Sequence, residues 1–264
     1  MTAAHRRGPP PPGPRALAAD LEDASAVSRL LDAVRPQAVL HAAVLGRVDD
    51  CETRRDEAER VNARLPGLLA HGCHERGVRL VALSTDLVFA GDRPFVTESD
   101  PAGPRSAYGR TKRAGEEAVL LACPGAAVAR VALVLGRGHG PRATSSESVG
   151  RALRAGRPLQ LFTDEYRTPI DPESVADALG RLVEGAGVGL YHLGGTERLS
   201  RYELGLRVAR AFGLSASGIA ASVQAEYQGP DARAPDVSLD SSRARRELGW
   251  EPRPMDEAIR ESRL

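Results

Sequence analysis

Residues 78–112 read VRLVALSTDLVFAGDRPFVTESDPAGPRSAYGRTK, and this stretch decides the fold. It opens on a continuous apolar run, Val78 to Ser84, of the kind that a parallel sheet buries on both faces. A loop marked by Pro101 and Pro104 follows, and from Tyr108 to Leu121 the apolar spacing is helical. The unit therefore reads strand, loop, helix. Upstream, Arg15–Ala19 reads as a short strand ending at Asp20-Leu21, and Ser25–Val34 as a helix that stops before Pro36. Ala38–Ala43 is a second strand expected to be buried on both faces, and Arg54–Arg76 a long helix stopped by Gly77. Downstream, Ala127–Leu135 is another strand, running into the glycines of Gly136–Gly140. This alternation predicts right-handed crossovers and an α/β fold, a Rossmann-type doubly wound parallel sheet. After Gly140 the rhythm loosens. Helices are expected at Ser146–Ala155, Pro172–Glu184 and Ser200–Phe212, a strand at Gly189–Leu193, and two short helices at Asp240–Trp250 and Met255–Ser262.

Composition narrows the class. With 36 Lys and Arg against 35 Asp and Glu, the formal net charge is +1, which gives no electrostatic case for nucleic acid or an anionic membrane. No apolar run approaches the roughly 20 residues of a membrane span. Cys51, Cys73 and Cys123 are odd in number and widely spaced, which argues for reduced thiols and a cytoplasmic setting. His71, Cys73 and His74 lack the spacing of a zinc site, and no metal is expected. His41, at the end of a strand, reads as structural, and Trp250 and Phe212 as core.

The chemistry lies in Tyr108 and Lys112. Residues four apart share one helix face, so the helix should set the phenol beside the ammonium. A neighbouring cation favours the phenolate and draws its pKa toward working pH, where an acid–base group is most effective. The hydroxyl of Thr85, at the carboxyl end of the preceding strand, can hold a carbonyl against that phenol. Such a device suits reduction of a ketone.

Strand-end hydroxyl, loop, then Tyr108 and Lys112 is an order that resembles the short-chain dehydrogenases/reductases. The resemblance is closest to the extended branch, in its dTDP-4-dehydrorhamnose reductase (sugar-nucleotide-binding) group. The segments that carry it are Arg35–Ala43, Val48–Glu52, Val61–Ala63, Ser84–Phe89, Tyr108–Lys112, Arg233–Pro235 with Leu239-Asp240, and Leu248–Trp250. Gly46 and Ala90 depart from that pattern near the sugar. The resemblance implies an NAD(P)H-dependent reductase of a nucleotide-activated 4-keto-6-deoxy sugar. Tyr108 would be its proton donor, Lys112 would tune that donor and hold the nicotinamide ribose, and Thr85 would bind the carbonyl. Asp86 would sit beside the sugar. Asp20 and Leu21 would lie near the adenine of NADPH or NADH, and Ala42 and Ala43 under the dinucleotide.

A dinucleotide site also needs a strand, a glycine-rich turn and a helix whose N-terminus meets the pyrophosphate. Residues 1–19 are too short and too rich in proline for that unit, so the sheet is expected to be N-terminally truncated. The expected organisation is a disordered proline-rich segment at 1–14, a partial NAD(P)-binding core at 15–140, and a small C-terminal substrate lobe with sheet-completing elements at 141–264. The implied partners are a nucleotide sugar and either a second copy in a homodimer or a partner subunit. Two alternatives stay open: a non-catalytic sugar-nucleotide-binding or regulatory subunit, such as the regulatory β subunit of methionine adenosyltransferase, and a sugar-nucleotide epimerase or dehydratase.

Overall fold

A computed structural model describes residues 2–5, 15–18, 21, 23–136, 143–185, 187–227 and 233–261. The chain begins with β1 (Thr2–His5) and β2 (Arg15–Ala18), followed by α1 (Ala24–Val34) and β3 (Ala38–His41). A helical stretch comes next: α2 (Val48–Thr53), α3 (Arg55–Ala58), a π-helical segment over Glu59–Arg64, and α4 (Leu65–Glu75). The central unit is β4 (Arg79–Thr85), a 3-10 turn over Asp86–Val88, α5 (Ala107–Ala122) and β5 (Ala127–Val131). Then come α6 (Ser145–Arg154), β6 (Leu159–Phe162), β7 (Tyr166–Arg167), α7 (Pro172–Val183) and β8 (Gly189–Leu193). The described chain closes with β9 (Leu199–Ser200), α8 (Arg201–Ala211), β10 (Ile219–Ser222), α9 (Ser242–Leu248) and α10 (Met255–Glu261).

Four strands form one parallel sheet in the order β3-β4-β5-β8. Side chains of a strand alternate between faces, and β4 shows the result. Leu80 and Ala82 join a core with Val27 and Leu31 of α1, Leu69 of α4 and Val119 of α5. Val81 faces the other way, onto Leu179 and Leu182 of α7 and Leu248 of α9. The sheet is thus wound on both faces, as expected. Trp250 is fully buried, its indole N–H donating to Ser174 O at 2.9 Å. A third core joins Leu135, Val149, Leu204, Val208, Met255 and Ile259. It gathers α6, α8 and α10, beside the parallel pair β6–β10 and the antiparallel pair β7–β9. These short strands are absent from the sequence reading, because each pairs with residues far along the chain.

Three expectations need correction. Disorder over 1–14 fails at Thr2–His5, which pair in parallel with Arg15–Ala18. These four residues precede the prolines, and proline is what a strand ladder excludes. The single helix over 54–76 is interrupted by the π-helical segment around Asn62. The strand at 38–43 is not buried on both faces: it ends at His41, Leu40 is 48% exposed, and Ala42 and Ala43 are exposed. Among the described residues β3 has a hydrogen-bonded neighbour on one side only.

Candidate active site

The site forms where β4 ends. Thr85 closes the strand, and the chain turns at once into the 3-10 turn. Thr85 Oγ1 accepts from Leu87 N at 3.2 Å and donates to Asp86 Oδ1 at 3.0 Å. Ser106 starts α5 as its N-cap, its hydroxyl accepting from Gly109 N at 3.1 Å. Glu52 Oε1 takes the next free amide, Ala107 N, at 2.6 Å. Gly109 lets the helix approach the turn: a Cβ there would lie 2.2 Å from Leu87 O. The absent side chain brings Tyr108 against Thr85 and Asp86.

Asn62 aligns the other wall. Its side chain accepts from Leu45 N at 2.9 Å, donates to Leu45 O at 3.1 Å, and donates to Thr111 Oγ1 of α5 at 3.2 Å. A π-helical irregularity places this side chain inward, a common use of such segments. The loop after β3 is thereby tied to α5, and Leu45 packs with Tyr108 on Cys51, Ala58 and Ala107.

The electrostatics differ from the expected pairing. Lys112 is 5% exposed, and its Nζ donates to Leu83 O at 2.7 Å. Burial pulls its pKa down to about 8, against the attraction of Glu116. Tyr108 is driven well above the ordinary phenol range, by burial first and by the Asp86 carboxylate second. Thr85 opposes that rise, and Lys112 takes no part in it. In this arrangement the ammonium is bound to the sheet rather than tuning the phenol. Asp86, 4% exposed, is pushed up to about 6 by burial, with Arg167 opposing.

Sequence reasoning missed the basic cluster behind Asp86. Arg167 Nε lies 4.0 Å from Asp86 Oδ2. Glu165, buried two residues before it in the chain, also meets Arg167 at 3.3 Å, Arg201 at 3.6 Å and Arg233 at 2.5 Å. Three guanidiniums around one carboxylate leave positive charge beside the site. No spacing announces this cluster, because its members come from β7, α8 and the stretch before α9.

Of the other expected residues, Asp20 lies outside the described residues, as do 137–140 of the glycine-rich Gly136–Gly140 stretch. Leu21 is half-buried against the core under α1. Ala42 and Ala43 are exposed at the carboxyl end of β3, beside β4. No described strand leads through a glycine-rich turn into a helix, so the described residues supply nothing that fits the pyrophosphate. No helix of the described residues is long and apolar enough to cross a membrane.

The sequence matches the family described as RmlD substrate binding domain over residues 2–263. A probable low-salt glycan biosynthesis reductase of Haloferax volcanii is 33% identical over 237 residues, 87% of this chain and 78% of that protein. A probable dTDP-4,6-dihydroxy-2-methyloxan-3-one 4-ketoreductase of Streptomyces antibioticus is 36% identical over 217 residues, 81% of this chain and 72% of that one. Among solved structures, a dTDP-4-dehydrorhamnose reductase of Bacillus anthracis in complex with NADP superposes with a TM-score of 0.86. It covers 94% of this chain and 89% of its own at 21% identity, a likeness of fold.

Proposed function

The chain belongs to the family of RmlD substrate binding domains, and from that premise we propose that it reduces the keto group of a nucleotide-activated 4-keto-6-deoxy sugar with NADPH or NADH. The observation that carries the reading is the convergence of Thr85, Asp86 and Tyr108 at the end of β4, with Lys112 one helical turn further along α5. The bound dinucleotide would supply hydride to the sugar carbon. Tyr108 would give its Oη proton to the keto oxygen as the C=O bond becomes C–OH. Thr85 has one O–H, now donated to Asp86; protonation of that carboxyl would free it for the substrate oxygen. Lys112 would leave Leu83 O to hold the ribose and to lower the phenol's pKa. Asp86, with the positive charge of Arg167 behind it, would face the sugar. In this division of labour residues 15–140 serve the cofactor and 141–264 the nucleotide sugar.

Titration with NADPH and NADH, followed by turnover of a dTDP-4-keto-6-deoxy sugar, tests the proposal. Tyr108→Phe is expected to abolish turnover and leave cofactor affinity nearly unchanged. An active Tyr108→Phe variant would remove the proton-donor assignment. The Lys112 contact with Leu83 O favours a second reading, a binding or regulatory subunit. Nucleotide-sugar binding with no cofactor binding at millimolar concentration would decide for it. Sedimentation would distinguish a homodimer from a chain awaiting a partner subunit.

A further inference from the structure

Arg167 stands between two buried carboxyl groups and is committed to one of them. Its Nη2 lies 3.3 Å from Glu165 Oε1, and its Nη1 donates to Tyr166 O at 2.6 Å and to Ala234 O at 3.2 Å. Toward Asp86 it presents Nε, which at 4.0 Å from Oδ2 is beyond hydrogen-bond range. Asp86 Oδ2 is accordingly buried without a hydrogen-bond partner among the described residues, while Oδ1 takes the Thr85 hydroxyl. Glu165 is the better supplied of the two. It is 2% exposed, Arg233 donates to both of its oxygens at 2.5 and 3.1 Å, and Arg201 lies 3.6 Å away.

The two carboxyls are driven apart for this reason. Burial raises Glu165, but hydrogen bonds from Arg233 and the charges of Arg167, Arg201 and Arg233 outweigh it and hold the group below the usual carboxylate range. Burial raises Asp86 to about 6, and there Arg167, at its longer distance, opposes only in part. Neighbouring carboxyls separated in this way divide their roles: one stays charged and the other exchanges a proton. We propose that Glu165 is a positioning residue for Asp86, acting through Arg167: by keeping the guanidinium on its own carboxylate, it leaves Asp86 Oδ2 unpaired. The site carboxyl can then gain a proton near pH 6, which releases the Thr85 hydroxyl to the substrate oxygen. Without the Glu165 charge, Arg167 would close the remaining distance, pair Asp86 as a carboxylate and keep Thr85 engaged.

Asp86 is faced from three other elements, by Arg167 of β7, Arg201 of α8 and the Tyr108 phenol of α5. Thr85 and the Leu87 amide lower its pKa from its own turn. Arg201 is likewise drawn toward Glu165, and the phenol, raised well above its ordinary range, stays neutral while Asp86 titrates. The position of Arg167 therefore decides the titration. A guanidinium hydrogen bond in place of the 4.0 Å approach should lower the Asp86 midpoint by about one pH unit or more.

The proposal rests on the reductase reading only in making Asp86 a site residue, so its first test uses no turnover. The carboxyl carbon of Asp86 is followed by NMR through a pH titration of the full chain. Glu165→Gln should move the midpoint to acid by about one pH unit or more. Glu165→Gln with Arg233→Gln keeps the charge balance of the cluster, guards against a folding defect, and should move it likewise. In an Arg167→Met background, adding Glu165→Gln should leave the midpoint nearly where it was. A midpoint unmoved in both Glu165 variants overturns the assignment. So does an equal acid shift with and without Arg167, because Glu165 would then act on Asp86 directly. In turnover, the alkaline limb of kcat should follow the titration to acid. A midpoint that moves as expected in a chain without turnover supports the assignment and counts against the reductase reading alone.

Discussion

Asp86→Asn should make this protein more stable at neutral pH while impairing its site. The carboxyl is 4% exposed, and its Oδ2 has no hydrogen-bond partner. Burial moves its pKa from 3.8 to about 6, with Arg167 and Thr85 opposing. At about 1.4 kcal/mol for each pH unit, a rise of that size places about 3 kcal/mol on the ionised folded state. The folded chain binds this proton more tightly than the unfolded chain does. Stability from this group is therefore full below about pH 4, falls as pH rises to about 6, and stays low above that. Asparagine keeps the shape and an acceptor for Thr85 but forfeits the attraction of Arg167, so the expected gain at pH 7 is about 1–3 kcal/mol. Urea titrations of both proteins at pH 7 and pH 4 measure it. The gain should vanish at pH 4. A variant less stable at pH 7, or one whose difference is the same at both pH values, would refute a carboxylate held in the site against its solvation preference. Turnover should fall as stability rises, the trade expected of a strained site.

Three further outcomes follow from packing. Gly109→Ala drives a methyl group into Leu87 O, so α5 must move off the turn; a loss of about 1–3 kcal/mol in urea and a severe loss of turnover are expected. Leu80→Ala, at a side chain 1% exposed, should cost about 2–5 kcal/mol, whereas Leu40→Ala, on β3 and 48% exposed, should cost about 1 kcal/mol. Comparable losses at the two positions would mean that β3 is covered. Glu116 and Arg130 are both 1% exposed and joined at 2.8 and 2.9 Å. Glu116→Leu alone should cost about 3–5 kcal/mol by stranding Arg130, and the double variant with Arg130→Met should recover most of it. A double variant no more stable than the single would contradict the pairing.

The sheet's central unit and the order of its parts were legible in the amino-acid order alone. Apolar runs such as Val78 to Ser84 are long enough to be strands and too continuous to be half-solvated. Helical spacing then put Tyr108 and Lys112 on one face of the next element. These are local properties, carried by periodicity. What those side chains meet emerged only from the folded arrangement. Lys112 reaches back to Leu83 O because α5 is drawn close to the turn after β4 and to the π-helical segment, approaches that Gly109 and Gly115 permit and that no period announces. The phenol's raised pKa comes from burial and from Asp86, and burial is a property of the assembled fold. Arg167, Arg201 and Arg233 converge on Glu165 from three elements. The exposure of Leu40 on β3 was likewise hidden, since the run from Ala38 to Ala43 has the composition of a strand buried on both faces. Composition reports what a strand can bury, and only the arrangement of neighbours reports what covers it.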